Sequence, residues 1–196
     1  MKRIVILAGA LGFVASAAVA LELGESILST EVKMKNVDGR MLAIADVQGE
    51  KGTLVIFSCN ACPWVKAWET RIAALGNSAP ELGIGVIAIN SNDPGKVPED
   101  SYDVMQQRAK ERGFAFPYVV DETSGVAKAF GATRTPEAFL FDVAGKLVYH
   151  GAIDDNANEP DKVTKRYLAD ALQAVSAGQP VPVAQTKALG CTIKWR

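Results

Sequence analysis

Cys59 and Cys62 stand three apart in the stretch "FSCNACPWV", residues 57–65. Two thiols at that spacing can close a disulfide and reopen it by exchange with another thiol. The same pair could supply half of a zinc site or a structural cross-link. Zinc wants four N or S ligands. Here only Cys191 and the single histidine, His150, could join the pair, and His150 falls in a strand-like run where packing or surface exposure is its ordinary role. A cross-link closing so small a loop removes little chain entropy, whereas C-x-x-C beside a strand–helix pattern is a redox signature. Exchange chemistry is the expectation. A non-catalytic metal-binding module is the contrasting reading, and no metal or other cofactor is called for.

Such a pair needs an element that delivers it and one that activates it. "TLVIFS", Thr53 to Ser58, is a short apolar β-rich run bounded by Gly52, which predicts a buried central strand. Beyond Cys62, Val65, Trp68, Ile72 and Leu75 recur at helical spacing, with Gly76 placed to end the helix. A thiol at a helix N-terminus meets unpaired N–H groups and the positive end of the dipole. Cysteines so placed can fall from a pKa near 8.5 to about 3.5–7.5. The spacing suggests Cys59 at the helix mouth, more exposed and nucleophilic, and Cys62 inside the first turn as the resolving thiol. Pro63 suits an early helical position. Asn60 and Ala61 set the local hydrogen bonds and hence the redox poise.

Further along, residues 32–52 alternate around Asp38-Gly39, which suggests a hairpin or short strands. "IGVIAIN" (84–90) and "PYVVD" (117–121) read as strands, and residues 100–112 as a polar helix before Gly113. "SGVAKAFG" is a short helix, "EAFLFD" and "KLVYHGAI" an antiparallel hairpin, residues 163–176 a last helix, and the tail "VPVAQTKALGCTIKWR" irregular. The acidic loop "IDDNANEPD" lacks EF-hand spacing and reads as a solvated loop. The alternation predicts an α/β fold, a mixed central sheet flanked by helices on both faces.

The ends and the composition set the compartment. Lys2 and Arg3, an apolar stretch from Ile4 to Val14 and the A-x-A of Ala18 to Ala20 have the pattern of a secretory signal peptide, 1–20. That stretch falls short of the roughly 20 residues a spanning helix needs. Residues 21–196 then form one exported, periplasmic-type domain with no stable membrane insertion after cleavage. With 21 basic against 22 acidic residues and no long basic run, nucleic acid is not expected as a partner. Three cysteines leave one thiol over.

With these elements in place, "LVIFSCNACPWV", "VIAINSND", "FPYVVDETSGVAKAFGATRTPEAFLFD", "GKLVYHGAIDD" and "GCTIKW" resemble the thioredoxin-like superfamily. More narrowly the chain resembles its redoxin branch, related to peroxiredoxins of the AhpC/TSA group and to periplasmic thiol–disulfide oxidoreductases. The resemblance implies a thioredoxin fold with extra N-terminal strands. It also implies a cis-proline facing the C-x-x-C, here Thr135-Pro136, where an incoming chain pairs as a short strand. Departures are visible. Thioredoxin has Trp before the first Cys and Gly-Pro within the motif; here stand Ser58 and Asn60-Ala61. Its buried acid falls near Thr53. A peroxiredoxin places Thr or Ser three residues before its peroxidatic Cys and an Arg on the facing strand. Here Cys62 takes the peroxidatic place, Cys59 the Thr place and Pro136 roughly the Arg place, with Arg134 two residues away.

The expectation is an exported thiol–disulfide oxidoreductase. Its Cys59–Cys62 couple exchanges with protein thiols or disulfides and with a redox partner protein. The alternative is a thiol peroxidase acting on hydroperoxides. Cys191 is either a third redox thiol or an inert small hydrophobe, the second being the default. Trp68 belongs to the core face, and Trp64 is a candidate accessory contact at the site mouth.

Overall fold

The computed structural model describes residues 20–196; the expected leader, up to residue 19, lies outside the described residues. Its strands are β1 (Met34–Asn36), β2 (Met41–Leu42), β3 (Gly52–Phe57), β4 (Ile84–Asn90), β5 (Tyr118–Val120), β6 (Arg134–Thr135), β7 (Glu137–Asp142), β8 (Leu147–Gly151) and β9 (Cys191–Thr192). The helices are α1 (Pro63–Ser78), α2 (Tyr102–Glu111), α3 (Gly125–Phe130) and α4 (Tyr167–Ser176). Among the described residues no helix is long and apolar enough to cross a membrane.

Seven strands form one mixed sheet in the order β2-β1-β5-β4-β3-β7-β8. β3, β4 and β5 run parallel, while β7 returns antiparallel to β3. The N-terminal hairpin β1–β2 extends the β5 edge. All six residues of β3 are buried, and their alternation sends them into two cores. Leu54 and Ile56 pack with Trp68 and Ile72 of α1, Met105 of α2 and Leu172 of α4. Val55 and Phe57 pack on the other face with Phe130 of α3, Phe139 and Ile193. A strand apolar on both sides is what a sheet covered on both faces requires. The site then lies past the carboxyl end of β3, where open α/β sheets place their ligands.

Four expectations are corrected. Gly76 does not end α1. The helix runs on to Ser78 because Gly76 is where Phe116 packs: a Cβ there would meet the Phe116 ring at 2.3 Å. The last helix begins at Tyr167 rather than 163, since Thr164 is held by Asp155, its N–H donating to Oδ1 at 3.0 Å. The acidic loop is not simply solvated: Asp154 is buried and accepts from Trp68 Nε1 at 2.7 Å and from Arg71. The tail is not irregular throughout. β9 pairs antiparallel with β6, and Ala184 and Thr186 bond to the His150 backbone beside β8.

Candidate active site

Cys62 is the N-cap of α1 and Pro63 its first residue. Cys59 lies three residues earlier, on the turn that leaves β3. The helix mouth therefore belongs to Cys62, not to Cys59. The exposure difference expected from spacing is absent too: Cys59 is 3 % and Cys62 4 % exposed. All three cysteines carry free thiols.

The pair faces Thr135. That residue's hydroxyl lies 3.1 Å from Cys59 Sγ, and its carbonyl accepts from the Cys62 thiol at 3.1 Å. The Thr135–Pro136 peptide is cis. Cys191 of β9, directly opposite Thr135 in register, packs against Cys59, Cys62 and Val65.

The two thiols are driven apart in acidity. Cys62 is lowered to about 5, first by the Cys59 thiol donating to it, then by the Cys191 thiol and the Val65 N–H. The Val65 N–H lies close enough to favour the thiolate without forming a full cap hydrogen bond. Burial opposes this by disfavouring the charged form, and the hydrogen bonds outweigh it. Cys59 is pushed up, first because its thiol proton is held in a hydrogen bond to the Cys62 sulfur, then by burial and by the negative charge of Asp100. A shared proton sits on Cys59 and the charge on Cys62, as the helix N-terminus favours.

The turn between them is rigidly tied. The Asn60 N–H donates to Asp100 Oδ1 at 2.5 Å, its side-chain amide to the Glu99 carbonyl at 2.8 Å, and its Oδ1 accepts from the Tyr118 hydroxyl at 3.0 Å. Burial raises Tyr118 well above its ordinary pKa, so it stays a neutral donor. Behind Cys59 is a small cavity also lined by Val65, Glu69, Arg108 and Tyr118. Glu69 is buried there under a bidentate pair to Arg108, at 2.6 and 2.9 Å. Neither Asp100 nor Glu69 carries a sequence signal for the site: one opens the polar helix read at residues 100–112, the other lies among helical charges.

The remaining expected residues divide. Trp68 is in the core. Trp64 stands exposed in the first turn of α1, its ring 5.9 Å from that of Trp68. Arg134 does not reach Cys62; its guanidinium donates to the Gly190 carbonyl at 2.8 Å. Among the described residues no group of three or more His, Cys, Asp or Glu side chains is placed to hold a metal ion.

A mixed sheet with helices on both faces, and a C-x-x-C where its central strand meets a helix, define a protein of the thioredoxin-like class. Residues 25–150 match the AhpC/TSA family, and the chain belongs to it. A curated relative, the thiol-disulfide oxidoreductase ResA of Halalkalibacterium halodurans, is 26 % identical over 116 residues, 59 % of this chain. The chain spans 61 % of that relative's length. Among solved structures, an uncharacterized conserved protein from Geobacillus kaustophilus superposes with a TM-score of 0.83 at 40 % identity, covering 89 % of this chain and 93 % of that one. Peroxidoxin BcpB from Mycobacterium tuberculosis shares the fold, with a TM-score of 0.61 at 14 % identity over 81 % of this chain and 97 % of that one.

Proposed function

We propose that the protein is an exported thiol–disulfide oxidoreductase working through the Cys59–Cys62 couple on protein thiols and disulfides. The supporting observation is the placement of Cys62 as the N-cap of α1, with Cys59 held beside it against Thr135. The Cys62 thiolate attacks a partner disulfide: a Cys62–partner bond forms, the partner's own S–S bond breaks, and one partner thiolate leaves. Cys59 then attacks Cys62 Sγ, closing Cys59–Cys62 and releasing the second partner thiolate, its own proton going to solvent or to that leaving group. The pair is oxidised by two electrons and the partner reduced by two; the reverse path oxidises a dithiol. The leader-like residues 1–20 and the resemblance to exported redoxins support an oxidising compartment.

The test is redox titration in glutathione buffers, read by acid quench and mass, with exchange on a peptide disulfide measured alongside. The wild type is expected to pass reversibly between dithiol and Cys59–Cys62 disulfide. A double variant, Cys59→Ala with Cys62→Ala, that exchanges as fast as wild type overturns the reading.

A thiol peroxidase acting from Cys62 is the second reading, favoured by its lowered pKa. Against it stands Arg134, whose guanidinium is committed to the Gly190 carbonyl. Stopped-flow oxidation by hydrogen peroxide separates the two: a rate no faster than that of a free thiol leaves only the exchange enzyme.

A further inference from the structure

We propose that Cys191 is a third exchange thiol, carried to the Cys59–Cys62 pair by the C-terminal strand and serving as its contact with solvent. The proposal rests on the reading of Cys59–Cys62 as a redox couple and names the route by which it is reached.

The geometry begins with register. Thr135 and Cys191 are directly opposed across the antiparallel β6–β9 pair, and opposed residues project their side chains to the same face. Thr135 aims its hydroxyl at Cys59, so the Cys191 side chain emerges on the cysteine side. There it packs against Cys59, Cys62 and Val65. Gly190 permits that approach. A Cβ at that position would lie 2.2 Å from the Thr135 carbonyl oxygen and 2.7 Å from its carbon.

The strand is seated, not draped. Ile193 is buried in the core and donates to the Thr133 carbonyl at 2.9 Å. The Lys194 N–H donates to Asn92 Oδ1 at 2.8 Å, its carbonyl accepts from Asp93 at 2.7 Å, and the Arg196 N–H donates to Ser124 Oγ at 2.9 Å. The tail thus lies along the edge beside Thr135, where an extended substrate would pair by strand addition. It brings a cysteine to the position of a substrate cysteine.

Exposure then separates the three thiols. Cys59 and Cys62 keep only a narrow opening to solvent, whereas Cys191 is half-buried and Thr192 beside it is exposed. An inert packing cysteine has no need of an exposed strand and four backbone hydrogen bonds to hold it against the pair.

The step is a balanced disulfide shift. In the oxidised pair, the Cys191 thiolate attacks Cys62 Sγ. The Cys62–Cys191 bond forms, the Cys59–Cys62 bond breaks, and Cys59 leaves as a thiolate that takes up the proton Cys191 gave up. No outside oxidant or reductant is consumed. One thiolate of a partner dithiol then attacks Cys191 Sγ: the partner–Cys191 bond forms, the Cys62–Cys191 bond breaks, and Cys62, the most acidic of the three thiols, leaves readily. The partner's second thiolate displaces Cys191, so the partner is oxidised by two electrons and the protein reduced by two. While the pair is reduced, burial and the Cys62 thiolate hold Cys191 up, to about 11. Once Cys62 is in a disulfide its charge is gone, and the neighbouring Lys194 and Arg134 favour ionisation of Cys191. The relay is idle in the reduced protein and active in the oxidised one.

The test uses the full chain and two variants, Cys59→Ala and Cys191→Ser, treated with oxidised glutathione, acid-quenched and mapped as non-reduced peptides. Cys59→Ala keeps Cys191 native and is expected to yield a Cys62–Cys191 disulfide in preference to a glutathione adduct on Cys62. Cys191→Ser is expected to keep forming Cys59–Cys62, while the oxidised variant is reduced by a peptide dithiol about tenfold more slowly than oxidised wild type, because the exposed sulfur is gone. A Cys59→Ala protein that carries only glutathione on Cys62, or an oxidised Cys191→Ser protein that is reduced at the wild-type rate, overturns the relay. Failure of Cys191→Ser and wild type alike to form Cys59–Cys62 overturns instead the couple itself.

Discussion

Replacing Gly190 with Ala should unseat the C-terminal strand. The added Cβ would sit 2.2 Å from the Thr135 oxygen, 2.7 Å from the Thr135 carbon and 3.2 Å from Pro136 N. Carbon atoms sit comfortably at about 3.5–4.0 Å, so the closest contacts are short by roughly an ångström. Each of these atoms is backbone, so no flexible side chain can swing away. Gly190 is not among the residues with positive φ, so the argument is one of space alone. Two relaxations are open. β9 can be pushed off β6, with strain of about 1–3 kcal/mol as for other overpacked sites. Or the tail can lift, forfeiting the burial of Ile193, about 1.5–3 kcal/mol. Both lie well outside the gain of about 0.4–1 kcal/mol that Gly→Ala brings where the backbone and space allow it. The expected result is a loss of about 1–3 kcal/mol in urea unfolding, with faster alkylation of Cys59 and Cys62 by iodoacetamide in the native protein. Leu189→Ala, at a neighbouring residue 38 % exposed, serves as the control and should change stability by less than about 0.5 kcal/mol. If Gly190→Ala matches that control in both stability and thiol protection, β9 does not lie against Thr135 and the reasoning fails.

Titration of the reduced protein by ultraviolet thiolate absorbance should show one thiolate forming at about pH 5, that of Cys62; a first transition in the ordinary thiol range would refute the assignment. Since Cys62 is lowered in the folded state, its contribution to stability is full above its ordinary value of 9.0 and is lost as pH falls through about 5. Cys59→Ala removes the largest cause of that lowering, so the midpoint should move up in pH. Glu69→Gln leaves Arg108 beside an amide in a buried site, and the loss should be about 3 kcal/mol, at the low end for a broken buried pair because the second partner of Glu69, Arg112 at 2.7 Å, is partly exposed. A loss below about 1 kcal/mol in urea unfolding would show that solvent already screens the group.

Much of the scaffold was legible in the amino-acid sequence because its signals are local. "TLVIFS" and "IGVIAIN" announce buried strands by composition and length, and β3 and β4 lie where they fall. The spacing of Val65, Trp68 and Ile72 announces α1, whose buried face they form. Gly76 misled because a glycine that permits close packing of Phe116 looks, in one dimension, like one that ends a helix. The cysteine spacing likewise indicated a redox pair but not which sulfur caps the helix, since that depends on where α1 begins after Pro63.

Composition and periodicity determined the class of fold, and the C-x-x-C the candidate pair on which the proposed chemistry rests, because strands, helices and neighbouring thiols are encoded within a few residues of one another. Only the tertiary structure decided how that chemistry is set. Thr135 meets Cys59 and Cys62 across 76 and 73 residues, and Asp100 meets Asn60 across 40. Gly190 and Cys191 reach Thr135 from a tail with no strand-like pattern of its own. Such contacts form when separate elements converge at the end of β3, and no periodicity in the chain records which side chains will then face each other.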